Sequence, residues 1–215
     1  MKKFAIVLSG CGVYDGAEIH EAVSAMLAVC RSGHEYQVFA PDVAQHHVIN
    51  HLTGEVMSEK RNVMVEAARI ARGNVKSLPE FKPSDYDALL FAGGFGAAKN
   101  LSDFAFKGND FSVTEPVCDV IKAMHAAGKP IGAMCIAPVL VAYALDNVEL
   151  TMGGVSPASE AAEKHGAKHI VKSHGEVAVD TKNKIVTTPC YMLEATIAQV
   201  AEGAENLVDE MLKLM

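Results

Sequence analysis

The sequence lacks any cluster of lysine and arginine residues with interleaved aromatic side chains, which is the pattern of nucleic-acid-binding surfaces. Its 19 basic residues are outnumbered by 26 acidic ones, and the formal net charge is -7. Nucleic acid and anionic membrane surfaces are therefore not expected as partners.

Long apolar runs are also missing. The opening segment MKKFAIVLSG has two lysines and an apolar run, but the run ends at Ser9 and Gly10. That is too short for the apolar region of a signal peptide or for a membrane span. We therefore expect a cytoplasmic protein that does not contact a membrane.

Closely spaced cysteines are a third absence. The five cysteines lie at positions 11, 30, 118, 135 and 190, which matches neither a disulfide framework nor a zinc ribbon. His47 and His51 have the i, i+4 spacing of zinc ligands on a helix, but their segment is typical of a loop and has no acidic third ligand. No metal site is expected, and at least one thiol should be free.

The chain of 215 residues, half of them hydrophobic, suits one globular domain spanning residues 1–215. Its first unit predicts a parallel sheet. The apolar run FAIVL at 4–8 is typical of a buried strand, and YQVFA at 36–40 is typical of a second. Between them Asp15 can cap a helix, whose predicted buried positions are Ile19, Val23, Met26, Leu27 and Cys30.

The same alternation continues along the chain and predicts an α/β fold, a flavodoxin-like three-layer sandwich with helices on both faces of a mostly parallel sheet. Further helices are predicted at 61–72, 112–127, 157–165 and 191–213, strands at 87–92 and 148–152, and a polar loop at 73–86. Near the end, KHIVKS and EVAVD are predicted to pair with KIVTT through the turn TKN.

The segment IGAMCIAPVLVAYAL at 131–145 predicts a short buried strand that stops at Cys135 and turns directly into a helix. Pro138 suits the first turn of that helix. A thiol at such a turn faces unpaired N–H groups and the positive end of the helix dipole, which favour the thiolate. We interpret Cys135 as a candidate nucleophile on a relaxed nucleophile elbow, with an inert buried cysteine as the alternative.

Three loops, at residues 9–21, 93–100 and 135–138, should meet at the carboxyl ends of the strands. The first supplies acidic side chains, the second the N–H groups of Gly93 and Gly94, and the third the thiol of Cys135. With Asp15 as the N-cap, Glu18 falls at the third helical position and acts as a capping-box residue. Glu21 is then the catalytic candidate, with a pKa raised by partial burial, unless it is an ordinary solvated carboxylate.

DGAEIHEA, LLFAGGFGAAKNL and GKPIGAMCIAP, in that order, resemble the ThiJ/PfpI superfamily of class I glutamine amidotransferase-like proteins. More narrowly, SGCGVYDGAEIHEA, VINHLTGE, RNVMVEAARIARG and VTTPCYM resemble its ElbB-like subfamily, which is associated with glyoxalase activity and isoprenoid biosynthesis. The resemblance covers nearly the whole chain. It implies Cys135 as the nucleophile, Glu21 as its acidic partner, and Gly94 and Ile136 as oxyanion donors.

The sequence departs from the superfamily pattern at one place. Many members have a histidine on the loop after the elbow helix, where this chain has Met152, Gly153 and Gly154. Amide hydrolysis by a Cys-His-acid triad would lack its usual general acid. Folding could bring His174 near the site as a secondary residue, alongside Glu18.

These features predict a glyoxalase that converts glyoxal to glycolate without metal, nucleotide or glutathione, with a related deglycase activity. The resemblance further implies a homo-oligomer, a dimer, acting on a small reactive carbonyl compound. Two alternatives stay open: a redox-responsive or partner-binding protein with an oxidisable Cys135, and a glutaminase-like amidotransferase subunit.

Overall fold

A computed structural model describes the whole chain, Met1 to Met215. Its nine strands are β1 (Lys3–Val7), β2 (Glu35–Ala40), β3 (Val75–Ser77), β4 (Ala88–Phe91), β5 (Ile131–Met134), β6 (Glu149–Leu150), β7 (Lys168–His169), β8 (Ala178–Asp180) and β9 (Ile185–Thr188). Its eight α-helices are α1 (Ile19–Arg31), α2 (Val63–Ile70), α3 (Phe95–Lys99), α4 (Phe104–Lys107), α5 (Glu115–Ala126), α6 (Pro138–Ala144), α7 (Pro157–Lys164) and α8 (Ile197–Lys213).

Seven strands form one sheet in the order β3-β2-β1-β4-β5-β9-β8. Every neighbouring pair is parallel except β8 and β9, which form an antiparallel hairpin at one edge. The central strands β4, β5 and β9 are buried along their whole length, because helices cover both faces of the sheet. The predicted α/β three-layer, mostly parallel fold is confirmed.

The two faces of the sheet bury separate hydrophobic clusters. On one face α1, α2 and α8 pack over the side chains of Phe4, Ile6 and Leu90. On the other, α5, α6 and α7 pack over Val7 and Phe91. The carboxyl ends of β1, β4, β5 and β9 therefore lie side by side in the middle of the sheet, with a helical layer on either side.

Helix α1 buries a different face from the one that the apolar spacing predicted. Ile19, Val23 and Leu27 are 43–46% exposed, and only Met26 of the predicted positions is well buried. The buried face consists mostly of alanine and serine, together with Glu21, Met26 and Val29. Alanines let α1 approach α8 and the sheet closely, so the bulky side chains are left on the outside.

Three predictions about shorter elements were wrong. The predicted loop at 73–86 contains the edge strand β3, and KHIVKS contributes β7, which pairs in parallel with β6 in a separate two-stranded sheet. Only EVAVD and KIVTT form the predicted hairpin. The last helix begins at Ile197, because the side chain of Thr196 accepts the Gln199 N–H and caps it there.

None of the eight helices has both the length and the apolar character needed to cross a bilayer.

The segment that follows β4, which includes the diglycine pair Gly93-Gly94 (the diglycine loop) and α3, packs against the loop between β1 and α1. The contact is made through Gly96, whose N–H donates to the Gly16 carbonyl over 2.8 Å. A Cβ at Gly96 would lie 2.6 Å from the Ser9 carbonyl oxygen. We therefore expect Gly96→Ala to lower the free energy of unfolding by about 1–3 kcal/mol, through overpacking against backbone that cannot rotate away. Urea denaturation measures this. Gly154→Ala is the matched control, because its Cβ would enter open space; equal losses in both variants would contradict the packing argument.

Candidate active site

Cys135 lies between the end of β5 and the start of α6, at the carboxyl edge of the sheet. Its φ of 58° is in the left-handed region, which is uncommon for a residue other than glycine and is typical of strained functional turns. Its backbone N–H donates to the Thr188 carbonyl over 3.0 Å, which ties the turn to β9. The structure therefore contains the sharp elbow that the sequence predicted, with a side chain that is only 7% exposed.

Glu21, in the first turn of α1, is completely buried beside that thiol. Its two carboxyl oxygens accept hydrogen bonds from the Gly93 N–H, over 3.1 Å, and the Tyr191 N–H, over 3.3 Å. The interaction between Glu21 and Cys135 contributes to the pKa shifts of both groups. The loop after β4 and the turn after β9 thus each donate one N–H to this carboxyl group and hold it against the candidate nucleophile.

Gly93 makes room for this pair. A Cβ at position 93 would overlap the Cβ of Cys135 and lie 2.5 Å from Oε2 of Glu21. The Gly93 N–H is not free, contrary to the sequence interpretation, because it donates to Glu21. Its role in the structure is to position the carboxyl group, which removes it from the predicted set of oxyanion donors.

The N–H of Ile136 has no acceptor in the protein, and the N–H of Gly94 has none other than the sulfur of Cys135. Gly94 has a φ of +93°, which turns its N–H toward the sulfur of Cys135. Ile136 follows Cys135 in the elbow and lines the cavity above it. Two backbone donors that have no oxygen acceptor and lie beside a nucleophile are the arrangement that stabilises a developing oxyanion.

The pair at the centre of the site is protonated at rest. Burial first, and then the neighbouring Glu18, raises the pKa of Glu21 from 4.5 to about 8. Burial and the Glu21 carboxyl also raise the pKa of Cys135 well above its usual value. The predicted thiolate is therefore wrong for the resting site: desolvation outweighs the N–H groups and the short helix α6.

Glu18 has a different structural role from the predicted one. It is itself the N-cap of α1, with Oε2 accepting the Glu21 N–H over 2.7 Å. Asp15 does not cap the helix, because its carboxylate accepts the Ile49 N–H over 2.6 Å and joins the first loop to the segment after β2. This hydrogen bond fixes the backbone of Glu21, so Glu18 helps to position the Glu21 carboxyl group.

Sequence reasoning missed the loop after β9. Residues 190–192 form a single 3₁₀ turn, not the start of the last helix, and bring Tyr191 to Glu21 and Cys190 to the backbone of Cys135. The Tyr191 hydroxyl is 2.8 Å from Nδ1 of His20 at the rim of the site. The apolar run KIVTT could have predicted this position. If it is placed as a strand parallel to β5, its carboxyl end lies beside the elbow.

No histidine lines the cavity above Cys135. His174 lies outside it and precedes Gly175, whose carbonyl accepts a hydrogen bond from Asn206 of α8. His51 is turned toward the first loop, where its Nε2 accepts the Tyr14 N–H over 3.2 Å. No three His, Cys, Asp or Glu side chains gather in a group that could hold a metal ion.

The thiol opens into a half-enclosed cavity of about 340 Å³. Its floor is Cys135 with Gly94, and Tyr191 forms part of the wall. The remaining surface is mostly apolar and includes Val13, Phe95, Ala98, Phe104, Ile136 and Met192. A small ligand that enters it would meet the sulfur and the two free N–H groups together.

The sequence was compared with known protein families. Residues 11–194, which include the elbow and its buried acidic partner, match the DJ-1/PfpI family. The chain belongs to the DJ-1/PfpI family. The predicted ThiJ/PfpI superfamily is therefore confirmed, whereas the narrower resemblance to the ElbB-like subfamily stays a prediction.

Two mammalian proteins are similar over 99% of the chain. The human glutamine amidotransferase-like class 1 domain-containing protein 3, mitochondrial, is 49% identical, with 83% of its length covered. The rat ES1 protein homolog, mitochondrial, is 48% identical, with 84% of its length covered. Both relatives are named as mitochondrial, which contradicts the cytoplasmic location predicted from the sequence.

Two solved structures bear on the fold. An isoprenoid biosynthesis protein with an amidotransferase-like domain from Ehrlichia chaffeensis superposes with a TM-score of 0.92 at 32% identity, covering 99% of this chain and all of the other. Glyoxalase III from Candida albicans superposes with a TM-score of 0.61 at 15% identity, covering 97% of each chain. The second likeness shows a shared fold only.

The raised pKa of Glu21 makes stability depend on pH. The folded chain holds a proton that the unfolded chain releases above about pH 4.5, so this stabilisation is complete below that pH and is lost as the pH rises through about 8. Relative to Glu21→Gln, the wild type should lose up to about 1.4 kcal/mol of unfolding free energy per pH unit in that window. Urea denaturation between pH 5 and 8.5 measures the slope. The exposed Glu194→Gln is the control, and a pH-independent difference for Glu21→Gln would contradict the assignment.

Proposed function

We propose that the protein is a cofactor-independent glyoxalase, which converts a 2-oxoaldehyde such as glyoxal to the 2-hydroxy acid, here glycolate. The observation behind the proposal is the buried Cys135–Glu21 pair beside the backbone N–H groups of Gly94 and Ile136, neither of which donates to an oxygen of the protein. It provides a nucleophile, a proton carrier and an oxyanion site within one small cavity.

The first step is addition of the thiol to the aldehyde. Ionised Glu21 takes the proton of Cys135 as the sulfur bonds to the aldehyde carbon, and the oxygen of the former carbonyl is held by the two free N–H groups. Glu21 then gives this proton to that oxygen, which forms a hemithioacetal and leaves Glu21 ionised again. Glu21 suits this role because its pKa of about 8 lies near neutral pH, where a general base works best.

The second step is an internal proton transfer. Glu21 removes the proton from the carbon bonded to sulfur, which gives an enediolate, and then returns that proton to the neighbouring carbon. The hydroxyl proton of the sulfur-bearing carbon passes to the alkoxide oxygen, so that the sulfur-bearing carbon becomes a carbonyl. The product is a thioester of glycolate on Cys135. Water then cleaves the carbon–sulfur bond, releases glycolate and restores the thiol, so the net reaction adds one water to glyoxal without an external oxidant or reductant.

The two alternatives have less support at this site. A glutaminase needs a general acid for the leaving ammonia, and no histidine lines the cavity. A peroxide sensor needs a thiol that is ionised at rest, whereas burial and the Glu21 carboxyl raise the pKa of Cys135. Addition driven by Glu21 requires neither feature.

Cys135→Ala should abolish glyoxal consumption, because no other thiol opens into the cavity. Glu21→Gln should lower kcat/KM at least about a hundredfold, the scale of a lost general base. Glycolate formation followed by chromatography measures both. Cys118→Ala is the matched control, since it also removes a thiol that is 7% exposed, but from the opposite face of the sheet. Retained turnover in Cys135→Ala would rule out the mechanism.

The rate should depend on the ionisation of Glu21. Because the reactive form has lost that proton, we expect kcat/KM for glyoxal to rise about tenfold per pH unit below pH 8 and to level off above it. Initial rates corrected for the uncatalysed reaction measure the profile between pH 5.5 and 9.5. A rate that falls from pH 6 to pH 8 would contradict Glu21 as the base.

A further inference from the structure

The cavity above Cys135 is larger than glyoxal requires. Its volume is about 340 Å³, whereas a water molecule takes about 30 Å³ of liquid. Cavities that bind whole small ligands begin at about 300 Å³. A two-carbon dialdehyde held at the sulfur would leave most of this space filled by water.

The walls of that space carry no charge. The only polar side-chain groups are the thiol and the Tyr191 hydroxyl, and this hydroxyl is hydrogen-bonded to His20. The other side chains are apolar or aromatic. The nearest cation on the diglycine loop, Lys99, is directed elsewhere: its Nζ donates to the Tyr14 carbonyl over 2.8 Å and lies 5.2 Å from the Phe95 ring centre. A phosphate or carboxylate on the substrate would find no partner here.

The groups that can bond to a substrate are those that act on its carbonyl. They are the sulfur of Cys135 and the backbone N–H groups of Gly94 and Ile136. The rest of the cavity surface is mostly apolar and includes the side chains of Phe104 and Met192. A substrate that matches both parts has a reactive carbonyl joined to an apolar group.

We propose that the preferred substrate is a 2-oxoaldehyde with an apolar alkyl or aryl substituent, from about four to eight carbons, whose substituent fills the cavity beside Phe104 and Met192. This rests on the proposed function, because the thiol adds to the aldehyde carbon and the proton moves to the substituted carbon, as for glyoxal. The net change is again addition of one water, and the product is the substituted 2-hydroxy acid.

The size of the preference follows from burial. Each methylene group transferred from water into an apolar site contributes about 0.8 kcal/mol, or about fourfold in kcat/KM. We expect kcat/KM, corrected for aldehyde hydration, to increase from glyoxal through methylglyoxal to hexyl- and phenylglyoxal, with at least about a tenfold gain for the last two.

Two variants test the walls in the same assay. Met192→Gln keeps the length of the side chain but makes it polar, and should reduce the phenylglyoxal-to-glyoxal ratio of kcat/KM several-fold. Phe106→Ala is the matched control: Phe106 lies on α4 beside Phe104 and Ala105 but stacks on His46 outside the cavity, so the ratio should not change. Consumption of glyoxal at a rate equal to or above that of phenylglyoxal would overturn the substrate preference and leave the glyoxalase proposal intact.

A second measurement does not need turnover. Cys135 should be alkylated faster by N-hexyl iodoacetamide than by iodoacetamide, by at least about tenfold after normalisation to the exposed Cys30. Peptide mass spectrometry of the folded chain follows both sites. Faster hexyl labelling without consumption of any 2-oxoaldehyde would reject the glyoxalase function but keep the apolar site. Equal labelling rates would overturn the apolar site itself.

Discussion

The site depends on a carboxyl group that is kept away from water. Glu21 lies inside the protein between the N–H groups of Gly93 and Tyr191, with the thiol of Cys135 beside it. Burial without a counter-charge favours the neutral acid and raises its pKa to about 8. Burying the carboxyl group costs free energy of folding. The same burial gives the thiol a partner that can take its proton near neutral pH.

Several features of the fold serve to create that environment. The diglycine loop needs Gly93, because any side chain there would fill the space of the acid and the thiol. The small residues on the buried face of α1 let the helix, and with it Glu21, approach the sheet closely. The N-cap bond from Glu18 then fixes the backbone at Glu21. The left-handed turn at Cys135 completes the set by aiming the thiol at the same point.

The chemistry available to such a pair differs from that of a cysteine protease. In a triad the histidine takes the proton of the nucleophile and later gives it to the leaving group. Here one carboxyl group can only move a proton between sulfur, oxygen and carbon, which is enough for carbonyl addition and isomerisation. The apolar cavity strengthens that distinction, because it offers no charged contact to a peptide or to glutamine.

The sequence by itself determined the alternation of strands and helices, the elbow at Cys135, and the meeting of the loops that carry Glu21 and Gly94. These are local patterns, or loops that must meet at the carboxyl edge of a parallel sheet. The raised pKa of Glu21 was predicted from the sequence, but only the tertiary structure decided that the pKa of Cys135 is raised as well, since that value depends on burial by distant segments. It also decided that Glu18 caps α1, that the turn at 190–192 joins the site, and that the cavity is apolar. Each of these results from packing between residues far apart in the chain, which spacing along the sequence does not encode.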